Sequence, residues 1–306
     1  SATALVALLV ACPASFAADG GFSIAVDLLA LRPSEPSADY VVVDHDDDAN
    51  VEGDIRAVDL CSSTTPRVTV GYAWPGGGGV SISWWEFDES ETESRRSGGG
   101  TLWDLMSPPD LSLLGYEGTA RATYSVDSRV IDAVYSHLAL VDDSYSAHVL
   151  LGVRLLEHDV RTAARYSSDV RSVRVEQGSE ADGIGARIGL AGSYRLGPRW
   201  SVEGAASYAL LRGEVDATYT ARSLSAFPRV AIRRERDVTF STLEGELALR
   251  FEIAGGLSAR AGVEFARWTD VAEFEQLTDD VQHAGVVSRS ADAGWEALVA
   301  GAAYRW

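Results

Sequence analysis

The chain has 306 residues, and 45 acidic against 26 basic side chains give it a formal charge of −19. That balance leaves no basic face for phosphate and excludes a nucleic-acid partner. Although 46% of the residues are apolar, no stretch after residue 17 approaches the roughly 20 apolar residues a membrane-crossing helix needs, so a helical membrane protein is excluded too.

Residues 1–17 read as an export signal without its charged start. Ala4 to Ala11 is a short apolar run, Pro13 breaks it, and Ser15-Phe16-Ala17 offers a small-x-small cleavage site before Ala18. Leu9-Val10-Ala11-Cys12 also fits a lipoprotein box, with Cys12 as the lipid site. After cleavage Cys61 is the sole cysteine, which rules out a disulfide framework. Residues 18–306 are expected to form a single domain.

From residue 21 onward the apolar residues alternate with period 2, and helical periodicity is essentially missing. The spacing predicts ten strands: 21–31, 66–74, 79–88, 118–141, 144–165, 173–194, 199–220, 237–253, 257–270 and 293–306. Four connections are tight turns: Pro75-Gly76-Gly77-Gly78, Asp142-Asp143, Leu196-Gly197-Pro198 and Ala254-Gly255-Gly256. The others, about 33–65, 88–117, 166–172, 221–236 and 271–292, are long, polar and acidic. Strict alternation of short and long connections is the layout of an all-β transmembrane up-and-down antiparallel barrel, with short periplasmic turns and long extracellular loops. A soluble sandwich has no reason to sort its loops this way. Several strands exceed the 9–11 residues a tilted crossing requires and are expected to rise above the outer surface.

Aromatic residues cluster at both strand ends. Phe22, Trp74, Tyr194, Trp200, Phe251 and Tyr304 fall beside the short turns or the termini. Trp84, Trp85, Tyr208, Trp268 and Trp295 fall toward the long loops. Two belts of this kind are expected to be membrane girdles, with Trp306 as the anchor of the final strand.

Several segments resemble the Legionella-type major outer-membrane protein family of pore-forming barrels: GFSIAVDLLALRPSEPSADY at 21–40, PRVTVGYAW at 66–74, GIGARIGLAGSYRLGPRWSVEGAASYALLRGEV at 183–215, and the last strand. The resemblance implies an outer-membrane pore. The final strand, with Tyr304 two positions before Trp306, also resembles the C-terminal signal that the barrel assembly machinery reads.

With the apolar sets facing outward, the opposite face carries Arg67, Arg154, Arg187, Glu203, Glu246, Arg250, Glu252, Arg260 and Glu264, interleaved with small residues such as Gly185, Gly189 and Gly301. These are the expected pore-lining residues of a narrow charged lumen that passes small polar solutes or ions by diffusion. Across the Gly255 turn, Glu252 and Arg260 are expected close enough to bond. The competing reading is that such charges pair off and seal the barrel, since eight strands are filled by side chains and sixteen leave a channel.

The long loops hold Asp44, Asp46, Asp47 and Asp48 around His45, and Glu86, Asp88, Glu89, Glu91 and Glu93. They suit divalent bridging to lipopolysaccharide or a cation-biased mouth, but a solvated surface explains them more simply. His137 and His148 face each other if the Asp142-Asp143 hairpin is two residues long, yet no third ligand is visible. No cofactor or metal motif is present. The phase of 118–141 is ambiguous unless a bulge intervenes, because Val130, Val134 and Leu138 favour one face and Ile131, Ala133 and Tyr135 the other.

The chain is not expected to be an enzyme. The alternative is a ten-stranded surface protease using His158-Asp159 or Asp279-Asp280 with His283; a third reading is a plugged structural or adhesin barrel. Expected partners are outer-membrane lipid, lipopolysaccharide, the assembly machinery and small solutes, with self-association left open.

Overall fold

A computed structural model describes residues 20–35, 38–45, 53–108, 111–113, 115–223, 229–277 and 286–306. The export signal and Cys12 lie outside the described residues, as do Asp46 to Asp48, Asp279, Asp280 and His283. Thirteen strands follow in chain order: β1 Gly21–Glu35, β2 Ala38–Asp44, β3 Gly53–Val58, β4 Ser63–Trp74, β5 Gly78–Arg96, β6 Thr101–Asp104, β7 Thr119–Val141, β8 Tyr145–Ser167, β9 Ser172–Arg195, β10 Trp200–Ser223, β11 Arg229–Ala254, β12 Leu257–Leu277 and β13 Val286–Arg305. Ten of them close into a barrel in the order β1-β13-β12-β11-β10-β9-β8-β7-β5-β4, every pair antiparallel. The other three form a separate sheet, β3-β2-β6.

All ten expected strands are present, and most are longer than read from the sequence. β5 runs to Arg96 and takes in Glu86 to Glu93, which are strand residues rather than loop residues. Closure comes from β1 and β13, in register from Ser23 opposite Arg305 to Arg32 opposite Glu296. The Trp306 amide continues the ladder by donating to the Phe22 carbonyl at 3.2 Å. At the β11–β12 turn Gly255 and Gly256 hold φ of +58° and +86°, and a Cβ on Gly256 would sit 2.1 Å from the Arg305 carbonyl oxygen.

The outer wall decides what surrounds the barrel. Ile24, Val26 and Leu28, then Val80 and Ile82, Leu151, Val153 and Leu155, Ile184 and Ile188, Leu249, Val263 and Leu298 all project outward and are exposed. An apolar band around a whole barrel is far larger than any patch water tolerates, and hydrocarbon is the solvent that suits it. No helix of the described residues is long and apolar enough to cross a membrane; the crossing is made by strands.

Inside, the barrel has two halves. Toward the short turns the inward side chains are charged. Toward the long loops they are apolar and form one core with the β3-β2-β6 sheet, including Tyr40, Val41, Leu102 and Tyr116 from the sheet side and Tyr124, Val160, Tyr166 and Val175 from the wall. Two wall tyrosines pin this plug: Tyr166 Oη donates to the Tyr40 carbonyl at 2.7 Å, and Tyr219 Oη donates to the Met106 carbonyl at 2.8 Å. Asp104 closes the loop after β6 by accepting from Ser112 Oγ at 2.6 Å and the Leu113 amide at 3.1 Å.

Candidate functional site: a charged lumen beneath an aromatic layer

Alternation sets each lumen residue, because a strand with one face in hydrocarbon turns every second side chain inward. Two clusters result. In the first, Arg67 Nη1 donates to Glu264 at 2.7 Å and Nη2 to Glu246 at 3.2 Å, with Asp27 3.4 Å from its Nε. Arg260 grips the same Asp27 through Nε at 2.8 Å and Nη2 at 2.6 Å, and reaches Glu246 at 2.5 Å. Gly301 makes room for this contact: a Cβ there would lie 2.0 Å from Asp27 Oδ1. In the second cluster Arg154 forks onto Asp132 and bonds Thr242 Oγ1 at 2.9 Å and Glu244 at 2.6 Å. Arg187 also bonds Asp132, and donates to Ser207 Oγ at 2.8 Å. Nearer the short turns, Arg250 lies 3.2 Å from Glu203 and 2.8 Å from Glu252.

All nine expected lumen residues thus face inward and take part in these ion pairs, with Glu252 the most exposed of them. Asp27 and Asp132 belong with them. Asp27 is absent from the expected set, although it shares the parity of Ala25 and Leu29, opposite to Ile24 and Leu28, which marks it as inward. The expected Glu252–Arg260 bond does not form. A register shift between Glu252 and Ala254 sets Glu252 against Ser258 and Arg250 against Arg260, so Arg260 turns to Asp27 and Glu246. Between the clusters lies a polar cavity of about 80 Å³, with Asp132, Arg154, Glu246 and Arg260 in its wall. That holds a few waters.

Trp85, Trp268 and Trp295, expected in the outer belt, point inward, with Trp268 fully buried. They form a layer across the lumen just beyond the charges: ring centroids are 4.2 Å apart for Trp268–Trp295, 5.3 Å for Trp85–Trp295 and 5.5 Å for His158–Trp268. His158 Nδ1 is 2.8 Å from Ser128 Oγ. The remaining girdle residues lie on the outer wall: Trp84 and Tyr208 toward the long loops, Tyr194 at the other end. At that end Phe22, Tyr304 and Trp306 form one stack, with Phe22–Trp306 at 6.1 Å and Tyr304–Trp306 at 5.7 Å. Trp74 stacks on Tyr135 at 5.8 Å and Trp200 meets Phe251 at 4.6 Å.

His137 and His148 do not meet as a pair. A bulge between Leu138 and Leu140 sets Leu138 against His148, so His137 is exposed outside and His148 buried inside. Up to Leu138 β7 keeps a single phase, with Val130, Asp132 and Ser136 inward and Tyr135 outward, so no bulge is needed to reconcile the two faces. Among the described residues no three His, Cys, Asp or Glu side chains are placed to hold a metal. His158 and Asp159 project to opposite faces of β8, as neighbours on a strand must, so they make no joint site.

On the outer wall above the apolar band, strand register brings six carboxylates into one row across six adjacent strands: Asp88, Asp127, Asp159, Glu180, Asp216 and Glu235. Arg161 lies 2.6 Å from Asp159 and 2.7 Å from Glu180, and Arg233 lies 2.5 Å from Asp216.

A membrane-facing barrel of ten antiparallel strands, charged within and ringed by aromatics, is an outer-membrane β-barrel. The sequence profile described as Legionella pneumophila major outer membrane protein precursor matches residues 17–304, and the chain belongs to that family. It resides in the outer membrane, with the short turns periplasmic and the long loops extracellular. Comparison with individually characterised proteins gives no significant match. Among solved structures, the outer membrane protease OmpT of Escherichia coli is similar at a TM-score of 0.51 and 13% identity, over 96% of this chain and 99% of that one. The CymD monoaromatic hydrocarbon channel aligns at a TM-score of 0.35 and 12% identity, over 94% and 88%, and the Ralstonia pickettii toluene transporter TbuX at 0.25 and 8%, over 95% and 90%. The likeness to the protease is one of fold.

Proposed function

We propose that this barrel is a gated, low-conductance channel for ions and small polar solutes, shut in the conformation described. The observation that supports it is the content of the membrane-level lumen. It holds five guanidiniums (Arg67, Arg154, Arg187, Arg250, Arg260) and seven carboxylates (Asp27, Asp132, Glu203, Glu244, Glu246, Glu252, Glu264) where a purely structural barrel could pack apolar side chains at less desolvation cost. Pair partners can be exchanged as a solute passes; a packed apolar plug offers no such relay. The excess of carboxylates favours cations. Lipopolysaccharide is the proposed lipid partner of the acidic outer wall, and the C-terminal strand the segment read by the assembly machinery.

Planar-bilayer recording of purified protein tests the reading. Small, infrequent steps are expected from the wild type, more frequent ones from Arg187→Ala, and altered cation preference from Glu203→Ala. Silence from all three would defeat it and favour a plugged structural barrel, the second reading, which the β3-β2-β6 sheet seated in the upper core supports. No enzymatic activity is proposed: His158 is engaged with Ser128 beneath the plug, on the face opposite Asp159.

A further inference from the structure

Near the extracellular end the barrel wall parts. β11 and β12 are paired only from Ser241–Thr269 toward the periplasm. Beyond that, Asp270 takes a φ of 59°, β12 shifts register against β13, and its outer end leans across the mouth to β9: the Glu273 amide donates to Ser179 Oγ at 2.9 Å, and Gln177 Nε2 to the Glu275 carbonyl at 3.1 Å. A cavity of about 440 Å³ lies between this leaning strand, the plug and the wall. Met106, Tyr124, Tyr219 and Phe274 give it an apolar and aromatic lining, and Asp39 and Glu275 bring carboxylates.

Glu275 is the informative residue. It is fully buried. Its Oε1 accepts from Ser288 Oγ at 2.8 Å and lies 3.3 Å from Arg234 Nη1. Its Oε2 has no partner among the described residues, and neither has the hydroxyl of Tyr124, which is 1% exposed. Leaving the second oxygen of a buried carboxylate without a donor is costly even though Arg234 pairs the first, so a donor is expected to complete it. A volume of this size suits a small molecule rather than one or two waters.

We propose that this vestibule binds a small organic cation, an ammonium or amidinium carried on an apolar ring. Glu275 Oε2 accepts from the cationic head, the Tyr124 hydroxyl supplies a second polar contact, and Phe274 and Met106 cover the ring. Aromatic faces favour a cation over a neutral or anionic group, and Asp39 adds to the preference. Arg289 also lines the cavity, but it is exposed to solvent, whereas Glu275 is fully buried. The site is independent of conduction and stands whether or not the lumen opens.

Titration calorimetry on the full chain folded in detergent tests it with three probes of one size: benzamidine, benzyl alcohol and benzoate. Benzamidine is expected to bind at least tenfold more tightly than the alcohol, and benzoate not at all. Glu275→Gln should bring benzamidine down to the level of the alcohol. Ala291→Trp, which fills the cavity from β13, should remove both. Equal binding of benzamidine and benzyl alcohol to the wild type, or no binding by either, overturns the proposal. So does benzamidine binding that survives Ala291→Trp, a readout that stands even if the Gln variant fails to fold.

Discussion

Arg154 and Asp132 meet as a two-pronged fork, Nε to Oδ1 at 2.8 Å and Nη2 to Oδ2 at 2.7 Å, across directly opposed positions of β7 and β8. Both are buried. Removing one member leaves the four-residue cluster of Asp132, Arg154, Arg187 and Glu244 with one uncompensated buried charge. Asp132→Ala is therefore expected to destabilise the folded barrel by about 3–5 kcal/mol, and the double change Asp132→Ala with Arg154→Met by much less. Urea unfolding in detergent, followed by gel migration of the folded band, measures these and Arg154→Met alone; a double loss equal to the sum of the two single losses would mean that the pair carries no coupling.

The three inward indoles give a second contrast. Trp268→Ala or Trp295→Ala should cost about 3–5 kcal/mol, because each leaves a cavity in a packed layer. Trp84→Ala, on the outer wall, should cost far less when measured the same way. A reversed order would place Trp268 and Trp295 in the lipid girdle after all.

Cys61 is exposed between β3 and β4, and its thiol is held above the ordinary value by a hydrogen bond with Glu91 and the charge of that carboxylate. A membrane-impermeant maleimide should label it on intact cells, slowly at neutral pH, and Glu91→Gln should speed the labelling several-fold. Labelling only after the outer membrane is broken would invert the orientation.

Burial raises the phenols of Tyr40 and Tyr116 above their ordinary value of 10.0, with Asp104 adding to the effect at Tyr116. An acid whose folded-state pKa is raised keeps its full contribution below the unfolded value and loses it as pH climbs through the folded one. The plug should thus hold up to about pH 10 and loosen above it. The check is phenolate absorbance at alkaline pH alongside protease access to the loop after β6; proteolysis that begins well below pH 10 would point to another cause.

The barrel was legible because hydrocarbon imposes strict alternation. Wherever one wall is apolar, the sequence shows both the strand and the face of every residue on it, as in Leu151, Val153 and Leu155 against Arg154. The plug was not legible. β2 reads ADYVVVD, a continuous apolar run buried on both sides, which carries no period-2 signal. Trp268 and Trp295 show where a rule was read too loosely. Their parity matches Glu264 and Val299, both inward, but nearness to the long loops outweighed parity in the sequence reading. The vestibule was invisible for a different reason. It depends on β12 leaving β11 beyond Thr269, which no local pattern announces.

Arg260 and Asp27 are 233 residues apart in the chain, and Arg67 and Glu264 are 197 apart. These partners come together only when the first and last strands zip; an unclosed sheet keeps the neighbouring-strand pairs Asp27–Arg67 and Arg260–Glu246 but leaves Glu264 with no guanidinium and Asp27 without the Arg260 fork. The seam that zips β1 to β13 therefore also completes the charge balance of the interior, and an open sheet carries a cost that closure removes.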